Sequence, residues 1–180
     1  MQHHLPDTIA LLSRTPAALN AFLRDLPDAW THGNEGENTW NPFEIVAHLI
    51  HAERTAWIPR AKMILELGET RTFAALERAP KDQERAQPLA LLLDQFAFLR
   101  SENLAELRAL NLRQEDLQRR GRHPVFGPVT LSQLLATWAT HDLTHLHQIS
   151  RVMAHQYRQT VGPFSAYLGV LQCAGHSAPA

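Results

Sequence analysis

Two histidines that lie one helical turn apart are the residues best placed to do chemistry. His141 and His145 stand in the segment LSQLLATWATHDLTHLHQISRVM, residues 131–153, whose apolar residues recur at helical spacing. An α-helix turns about 100° per residue, so the two imidazoles lie about 40° apart. The apolar positions on or beside the same face are Leu131, Leu134, Leu135, Ile149 and Val152. The helix therefore directs both rings towards its own buried side.

Polar rings on a buried face need partners, because unpaired polar groups in a protein core cost free energy. A divalent metal ion is one such partner, and zinc-binding helices of the H-E-x-x-H type use the same His-x-x-x-His spacing. Hydrogen bonding within the core is the other, since histidine is a residue of intermediate burial. The pair alone leaves both interpretations open. A third ligand from another helix would favour the metal.

The helix predicted for residues 42–67 carries the candidate third ligand. His48 lies about 60° from Ile45, which stands at the centre of the apolar stripe of this segment. His51 lies about twice as far round the helix, towards solvent. We therefore expect His48 to reach the margin of the core and complete the site, and His51 to remain solvated.

Two polar neighbours of the histidine pair are candidates to support it. Gln148 and Asp142 could bond the ring nitrogen that a ligand leaves free, or a bound water. Gln148 is the stronger candidate, because it falls almost over His141 on the helical wheel. The alternative is that both side chains only hydrate the edge of the fold. In a closed structural site, His51, Asp142 or Glu44 would supply a fourth ligand.

Four long helical segments predict an all-α, up-down-type four-helix bundle with a short C-terminal helix, in a single domain spanning residues 1–180. The segments are 5–26, with a break and a cap at Thr15, 42–67, disturbed at Pro59, 88–112 and 131–153, followed by the short helix 157–172. Capping boxes are predicted at Asn41 with Glu44 and at Thr130 with Gln133. Residues 28–39, 69–87 and 114–129 are predicted loops. Such bundles build metal sites from facing helices.

The composition limits the classes of function. The chain has 17 basic and 18 acidic residues, so it lacks the basic footprint of a general nucleic-acid binder. Its single cysteine, Cys173, allows neither an intrachain disulfide nor a cysteine-based zinc site. No apolar run approaches the roughly 18 residues of a membrane span, and the N-terminus lacks a signal-peptide core. We expect a cytoplasmic protein that acts on a small molecule, without nucleic-acid or membrane partners.

Several short motifs together resemble one family. They are Thr39-Trp40-Asn41, Ala47-His48-Leu49, His123-Pro124, Phe126-Gly127, Val129-Thr130-Leu131, the closing YRQTVGPFSAYLGVLQ and, above all, HDLTHLHQI with its H-x-x-x-H-x-x-Q pattern. Over nearly its whole length the chain resembles the DinB-like (YfiT-like) helical-bundle family of metal-dependent enzymes. The resemblance implies a four-helix bundle, often a homodimer, with His48, His141 and His145 as metal ligands.

The resemblance also bears on activity. It implies a divalent metal, and histidine ligands do not choose between zinc, nickel, copper, iron and manganese. Some relatives resemble transferases that join a low-molecular-weight thiol to an electrophile, and others are labelled hydrolases. We therefore expect a metal-binding enzyme of one of these two kinds, with any thiol coming from a small molecule. The alternative is a non-catalytic, stress-associated helical protein whose metal is structural or absent.

Overall fold

The computed structural model describes residues 3–75 and 87–173, most of which are helical. The α-helices are α1 (Leu5–Leu12), α2 (Thr15–Leu23), α3 (Asp28–Thr31), α4 (Pro42–Thr55), α5 (Trp57–Leu67), α6 (Leu89–Ala109), α7 (Leu131–His155) and α8 (Gly169–Gln172). Two short strands, β1 (Arg120–His123) and β2 (Gly127–Thr130), precede α7. The predicted all-α bundle is therefore confirmed, with a small sheet added. Most of the predicted 69–87 connection lies outside the described residues.

Both predicted capping boxes are formed. The side chain of Asn41 accepts from the backbone of Glu44 at 2.9 Å, and Glu44 accepts from the backbone of Asn41 at 3.1 Å. Thr130 and Gln133 exchange the equivalent bonds at 3.1 and 2.8 Å. Each pair satisfies amide groups that a helix start leaves without partners. The caps therefore fix the first residues of α4, which carries His48, and of α7, which carries His141 and His145.

The breaks within the first two predicted helices differ in detail from the prediction. The second helix breaks at Ala56 rather than at Pro59. Proline has no N–H to bond the carbonyl of Thr55, so α4 ends there and Pro59 is accommodated in the first turn of α5. The first helix does break where predicted. However, Thr15 does not cap α2, because its hydroxyl donates to the carboxylate of Asp142 at 2.6 Å.

The predicted loop over residues 114–129 is in part a β-hairpin. Strand β1 pairs antiparallel with β2, in a register from Arg120 opposite Thr130 to His123 opposite Gly127. Strands of four residues are too short to show an alternating pattern against a polar background. Gly127 has φ +71°, a conformation that favours glycine at the turn. The hairpin delivers the chain directly to the start of α7.

Two further predicted segments differ from the structure. The predicted loop over residues 28–39 contains the single turn of α3. The predicted terminal helix is divided into a 3₁₀ segment, Gly162–Tyr167, and the short α8. Gly162 has φ +54° and is followed by Pro163, and neither residue favours a continuous helix. A separate 3₁₀ turn, Asp116–Gln118, lies before the hairpin.

The order of the helices around the bundle places α4 beside α7. Helix α4 packs against both α6 and α7, while α1 packs against α7 and α2 against α6. Within the described residues, the α1–α2 arm and the α4–α5 arm therefore lie at opposite corners, although they follow each other in sequence. Among these residues no helix has the length and apolarity needed to cross a membrane.

The apolar core has two parts, with polar side chains between them. One hydrophobic cluster includes residues of α1 and α5 and the start of α7, and the other includes residues of α2 and α6, the start of α4 and the end of α7. Along α4 the change falls between Ile50 and Ala52. Along α7 the first cluster ends at Ala139, and the buried residues of the second begin at Ile149. His141 and His145 lie in this polar layer.

Candidate metal centre

Three histidine rings meet in the polar layer. Nε2 of His48, on α4, lies 3.2 Å from Nε2 of His141, and the latter lies 3.1 Å from Nε2 of His145. One ring nitrogen from each residue lies within 4.8 Å of the other two. Among the described residues, this is the one group of His, Cys, Asp or Glu side chains with a geometry able to hold a metal ion. The structure thus brings together the three histidines expected from the sequence.

The helices and their neighbours bury these rings. His48 is 5% exposed and His145 is 7% exposed, while His141 is half-buried. The ring of Trp40, just before the start of α4, lies 4.8 Å from that of His48 and 6.3 Å from that of His145, between centroids. The ring of Trp57 lies edge-on to His141, at 5.1 Å. Two indoles therefore form walls beside the three imidazoles.

A hydrogen bond defines which nitrogen of His145 is available. The side-chain oxygen of Gln148 lies 2.8 Å from Nδ1 of His145. An amide oxygen can only accept, so Nδ1 donates its proton and Nε2 keeps a lone pair. That lone pair is on the nitrogen next to His141. Gln148 thus supports a ring of the cluster, although its partner is His145 rather than the His141 suggested by the helical wheel.

Burial keeps His141 and His145 in the form that binds metals. Desolvation, together with the charges of the neighbouring histidines and Arg100, lowers the pKa of His141 to about 2. Desolvation also lowers the pKa of His145, and outweighs the opposing effects of Gln148 and Asp142. Both imidazoles are therefore neutral at physiological pH. Neutral imidazole is the state in which histidine binds a metal.

The donor set fits a divalent transition metal. Zinc binds histidine nitrogen at about 2.0–2.1 Å, which in tetrahedral geometry separates two ligand nitrogens by about 3.3 Å. The two measured separations between Nε2 atoms, 3.1 and 3.2 Å, are close to that value. Borderline ligands of this kind suit zinc, nickel, copper and iron alike. The three histidines fit a metal without identifying it.

The side chains named as a fourth ligand lie outside the cluster. Glu44 caps α4, His51 is half-buried, and neither they nor Asp142 are among the convergent ligands found in the described residues. His147 is exposed on the other side of α7. The described residues therefore bring together three candidate ligands.

Asp142 has contacts different from those expected. Its two oxygens accept from the guanidinium of Arg100 at 2.6 and 2.9 Å, and one also accepts from the hydroxyl of Thr15. The carboxylate is 1% exposed. The structure therefore places Asp142 in a buried ion pair, from which its charge acts on the ring of His145.

Arg100 and Glu53 complete this buried network and were not predicted. Arg100 donates to Glu53 at 2.9 Å and to the carbonyl of Leu12 at 2.8 Å. Burial by itself would lower the pKa of Arg100, but the bonds and charges of Asp142 and Glu53 outweigh it and raise the pKa. The sequence did contain a sign that Arg100 has a buried partner. Arg100 stands four residues after Phe96 in an apolar helical stripe, where a charge requires a partner.

Comparisons with known proteins agree with the fold. The DinB superfamily model matches residues 11–149, a span that contains all three histidines. The structure is similar to YfiT from Bacillus subtilis, described as a probable metal-dependent hydrolase with an unusual four-helix bundle topology. The two structures share a TM-score of 0.72 and 20% sequence identity, over 89% of each chain. A comparison with curated proteins gave no match. The chain belongs to the DinB superfamily.

Proposed function

We propose that the protein is a metal-dependent enzyme that acts on a small molecule. The observation that carries the proposal is the convergence of three Nε2 atoms from two capped helices. Nε2 of His141 lies 3.2 Å from that of His48 and 3.1 Å from that of His145. Structural zinc sites are typically closed by four protein ligands, whereas catalytic sites use three and keep a position open. The three ligands that the described residues bring together match the catalytic type.

The side chains of the chain have separate tasks in this proposal. His48, His141 and His145 would hold the ion as neutral ligands, which would leave its positive charge uncompensated. Gln148 holds His145 with Nε2 directed towards Nε2 of His141. A divalent ion in such a site supplies Lewis acidity, which favours the deprotonated form of a water or a thiol near neutral pH. Trp40 and Trp57 limit the approach of solvent to the rings.

Hydrolysis is the activity that we infer first. Three neutral nitrogen ligands with an open position form the donor set with which zinc enzymes activate water. The description of YfiT as a probable metal-dependent hydrolase supports the same reaction class. At 20% identity this likeness carries the fold rather than the substrate.

Transfer of a low-molecular-weight thiol is the second candidate. A site with neutral ligands favours an anionic partner, and a thiolate meets that requirement as well as hydroxide does. The chain has one cysteine, Cys173, which is exposed just beyond α8 and donates to the carbonyl of Gly169. The reacting thiol would therefore be a separate small molecule. Its sulfur would form a bond to an electrophilic carbon as the bond from that carbon to its leaving group breaks, and the leaving group would take up the proton of the thiol.

The test begins with protein purified without metal-affinity chromatography. We would measure its metal content, remove the metal, and assay panels of esters, amides and thiol–electrophile pairs before and after reloading. Metal-dependent turnover is expected, lost in His48→Ala and kept in His147→Ala, whose exposed ring serves as the control. A requirement for thiol would select transfer over hydrolysis. Turnover that survives metal removal, or a tightly bound metal without any turnover, would contradict the proposal.

A further inference from the structure

We propose that two stacked tryptophans, Trp57 and Trp138, act as positioning residues that orient the ring of His141. We call this pair the indole support. The inference rests on the proposed metal-dependent function, and it concerns how one ligand of the site is held. Neither tryptophan contributes an atom to the cluster itself.

The two ligands on α7 are held in different ways. Nδ1 of His145 bonds to Gln148, as outer ring nitrogens of metal ligands usually bond to a neighbouring acceptor. Nδ1 of His141 is buried, and among the described residues no side chain or backbone group bonds to it. The rotation of the His141 ring must therefore be set by packing. An imidazole that rotates freely would direct its lone pair away from the other two ligands.

Apart from the other two histidines of the cluster, the aromatic ring that packs against His141 in the described part of the chain is that of Trp57. The centroids of the two rings are 5.1 Å apart and their planes are 69° from parallel, which is an edge-to-face contact. Trp57 is the first residue of α5, immediately after the break at Ala56. The break that precedes Pro59 therefore also starts the helix that carries this indole. Aromatic rings prefer edge-to-face and offset-stacked arrangements, so the contact restricts rotation as well as burying area.

Trp57 is itself held by Trp138. The two indoles are stacked, with centroids 5.8 Å apart and planes 9° from parallel, and they are 4% and 0% exposed. Trp138 lies three residues before His141, on the same helix. The indole support therefore joins α5 to α7 directly beside the ligand. Such a close-packed pair leaves little freedom for either ring to move alone.

The buried ion network anchors the indole support. The indole N–H of Trp138 donates to Glu53 at 2.9 Å, and the same carboxylate oxygen accepts from Arg100 at 2.9 Å. The guanidinium of Arg100 lies 5.3 Å from the Trp138 ring centroid, within the range of a cation–π contact. A connected series thus runs from the ion network through Trp138 and Trp57 to His141. In this series, residues remote from the ion set the position of a ligand.

The test uses cobalt(II) alone as the probe, with metal-free full-length protein. Trp57→Leu removes the edge contact, and we expect its cobalt affinity to fall by about 10- to 100-fold, as for other outer supports of metal ligands. Its visible cobalt bands should also change, because the ligand geometry relaxes. Trp57→Phe keeps an aromatic edge and should restore both properties. Trp30→Phe is the control, since its ring packs against Tyr157 at 4.7 Å and should leave both unchanged.

Trp138→Phe gives an independent second test, because it keeps a ring in the stack but removes the indole N–H. We expect its cobalt affinity to fall by less than that of Trp57→Leu, with a shift of the cobalt bands. If Trp57→Leu does not fold, Trp138→Phe tests by itself whether the indole support orients His141. Unchanged affinity and spectrum in Trp57→Leu or Trp138→Phe, or failure of Trp57→Phe to restore them, would overturn the inference. If the wild-type protein itself bound no cobalt, the metal site and the inference would fall together.

Discussion

The guanidinium of Arg100 donates to both carboxylate oxygens of Asp142, at 2.6 and 2.9 Å, and each side chain is 1% exposed. The pair crosses the core from α6 to α7, at the residue next to the candidate ligand His141. Arg100 also bonds to Glu53 on α4. One side chain therefore links the two helices that supply all three histidines, although its own helix supplies none.

Removal of Arg100 should destabilise the protein severely. Arg100→Met leaves two buried carboxylates without their counter-charge, which typically costs about 3–5 kcal/mol of unfolding free energy. Urea denaturation of metal-free protein measures the loss. The control is Arg113→Met, whose side chain is 73% exposed and whose pairing with Glu115 should contribute about 0–1 kcal/mol. Equal losses in the two variants would contradict a central role for Arg100, and Arg100→Lys substitutes if Arg100→Met does not fold.

The metal site should hold one divalent ion per chain. His48→Ala, His141→Ala and His145→Ala should each abolish stoichiometric cobalt binding, because each removes one of three convergent lone pairs. The matched controls are His51→Ala and His147→Ala, which remove imidazoles outside the cluster from the same two helices. Elemental analysis and equilibrium dialysis measure the stoichiometry. Equal loss in a control variant would refute the assignment of the ligands.

Gln148 should support metal binding through His145. Gln148→Leu removes the acceptor at 2.8 Å from Nδ1, and we expect cobalt affinity to fall by about 10- to 100-fold with little change in helix content. Gln148→Glu supplies a carboxylate acceptor at the same place and should retain most of the affinity. Competition with a chelator gives the affinities, and circular dichroism gives the helix content. If Gln148→Leu binds as tightly as the wild type, Gln148 has no such role.

The metal-free protein should lose stability as the pH falls below about 6.5. His141 and His145 take up protons near that value in the unfolded chain, whereas burial lowers their pKa in the folded protein, that of His141 to about 2. The unfolded state therefore binds more protons in this window. Each such histidine lowers the unfolding free energy by up to about 1.4 kcal/mol per pH unit.

Urea denaturation at about pH 7.5 and about pH 5.5 measures this dependence. His141→Leu is the matched variant, because it cannot be protonated at this position and should show a shallower slope. The slope should also become shallower below the folded pKa of each group, where both states are protonated. A wild-type stability that is constant over this range would mean that the folded protein binds as many protons as the unfolded chain, which would contradict the lowered pKa values.

Thiol transfer predicts a direct contact between sulfur and the metal. Addition of a small thiol to the cobalt-substituted protein should then produce a charge-transfer absorption band, since a cation favours the thiolate. Cys173→Ser should leave the band intact, because the reacting sulfur comes from the small molecule. His48→Ala should abolish it. No spectral response to any thiol would remove transfer from consideration and leave hydrolysis to be tested by turnover.

Much of the local structure could be predicted from the sequence alone. Helix periodicity located the long helices, and the capping boxes at Asn41 and Thr130 marked two of their starts, because both signals depend on residues within a few positions of each other. The same locality put His141 and His145 on one face of α7. The candidate ligand His48 followed from its own helical wheel and from the family resemblance.

The tertiary structure decided which side chains meet. Helical wheels suggested His141 as the neighbour of Gln148 and a supporting role at the site for Asp142, whereas their partners are His145 and Arg100. These contacts depend on rotamers and on the packing of helices distant in sequence, which no local pattern encodes. The contact of Trp57 with His141 likewise required the break at Ala56 and the placement of α5 against α7. The three candidate ligands could thus be proposed from the sequence, while the groups that hold them required the assembled core, because long-range packing selects those partners.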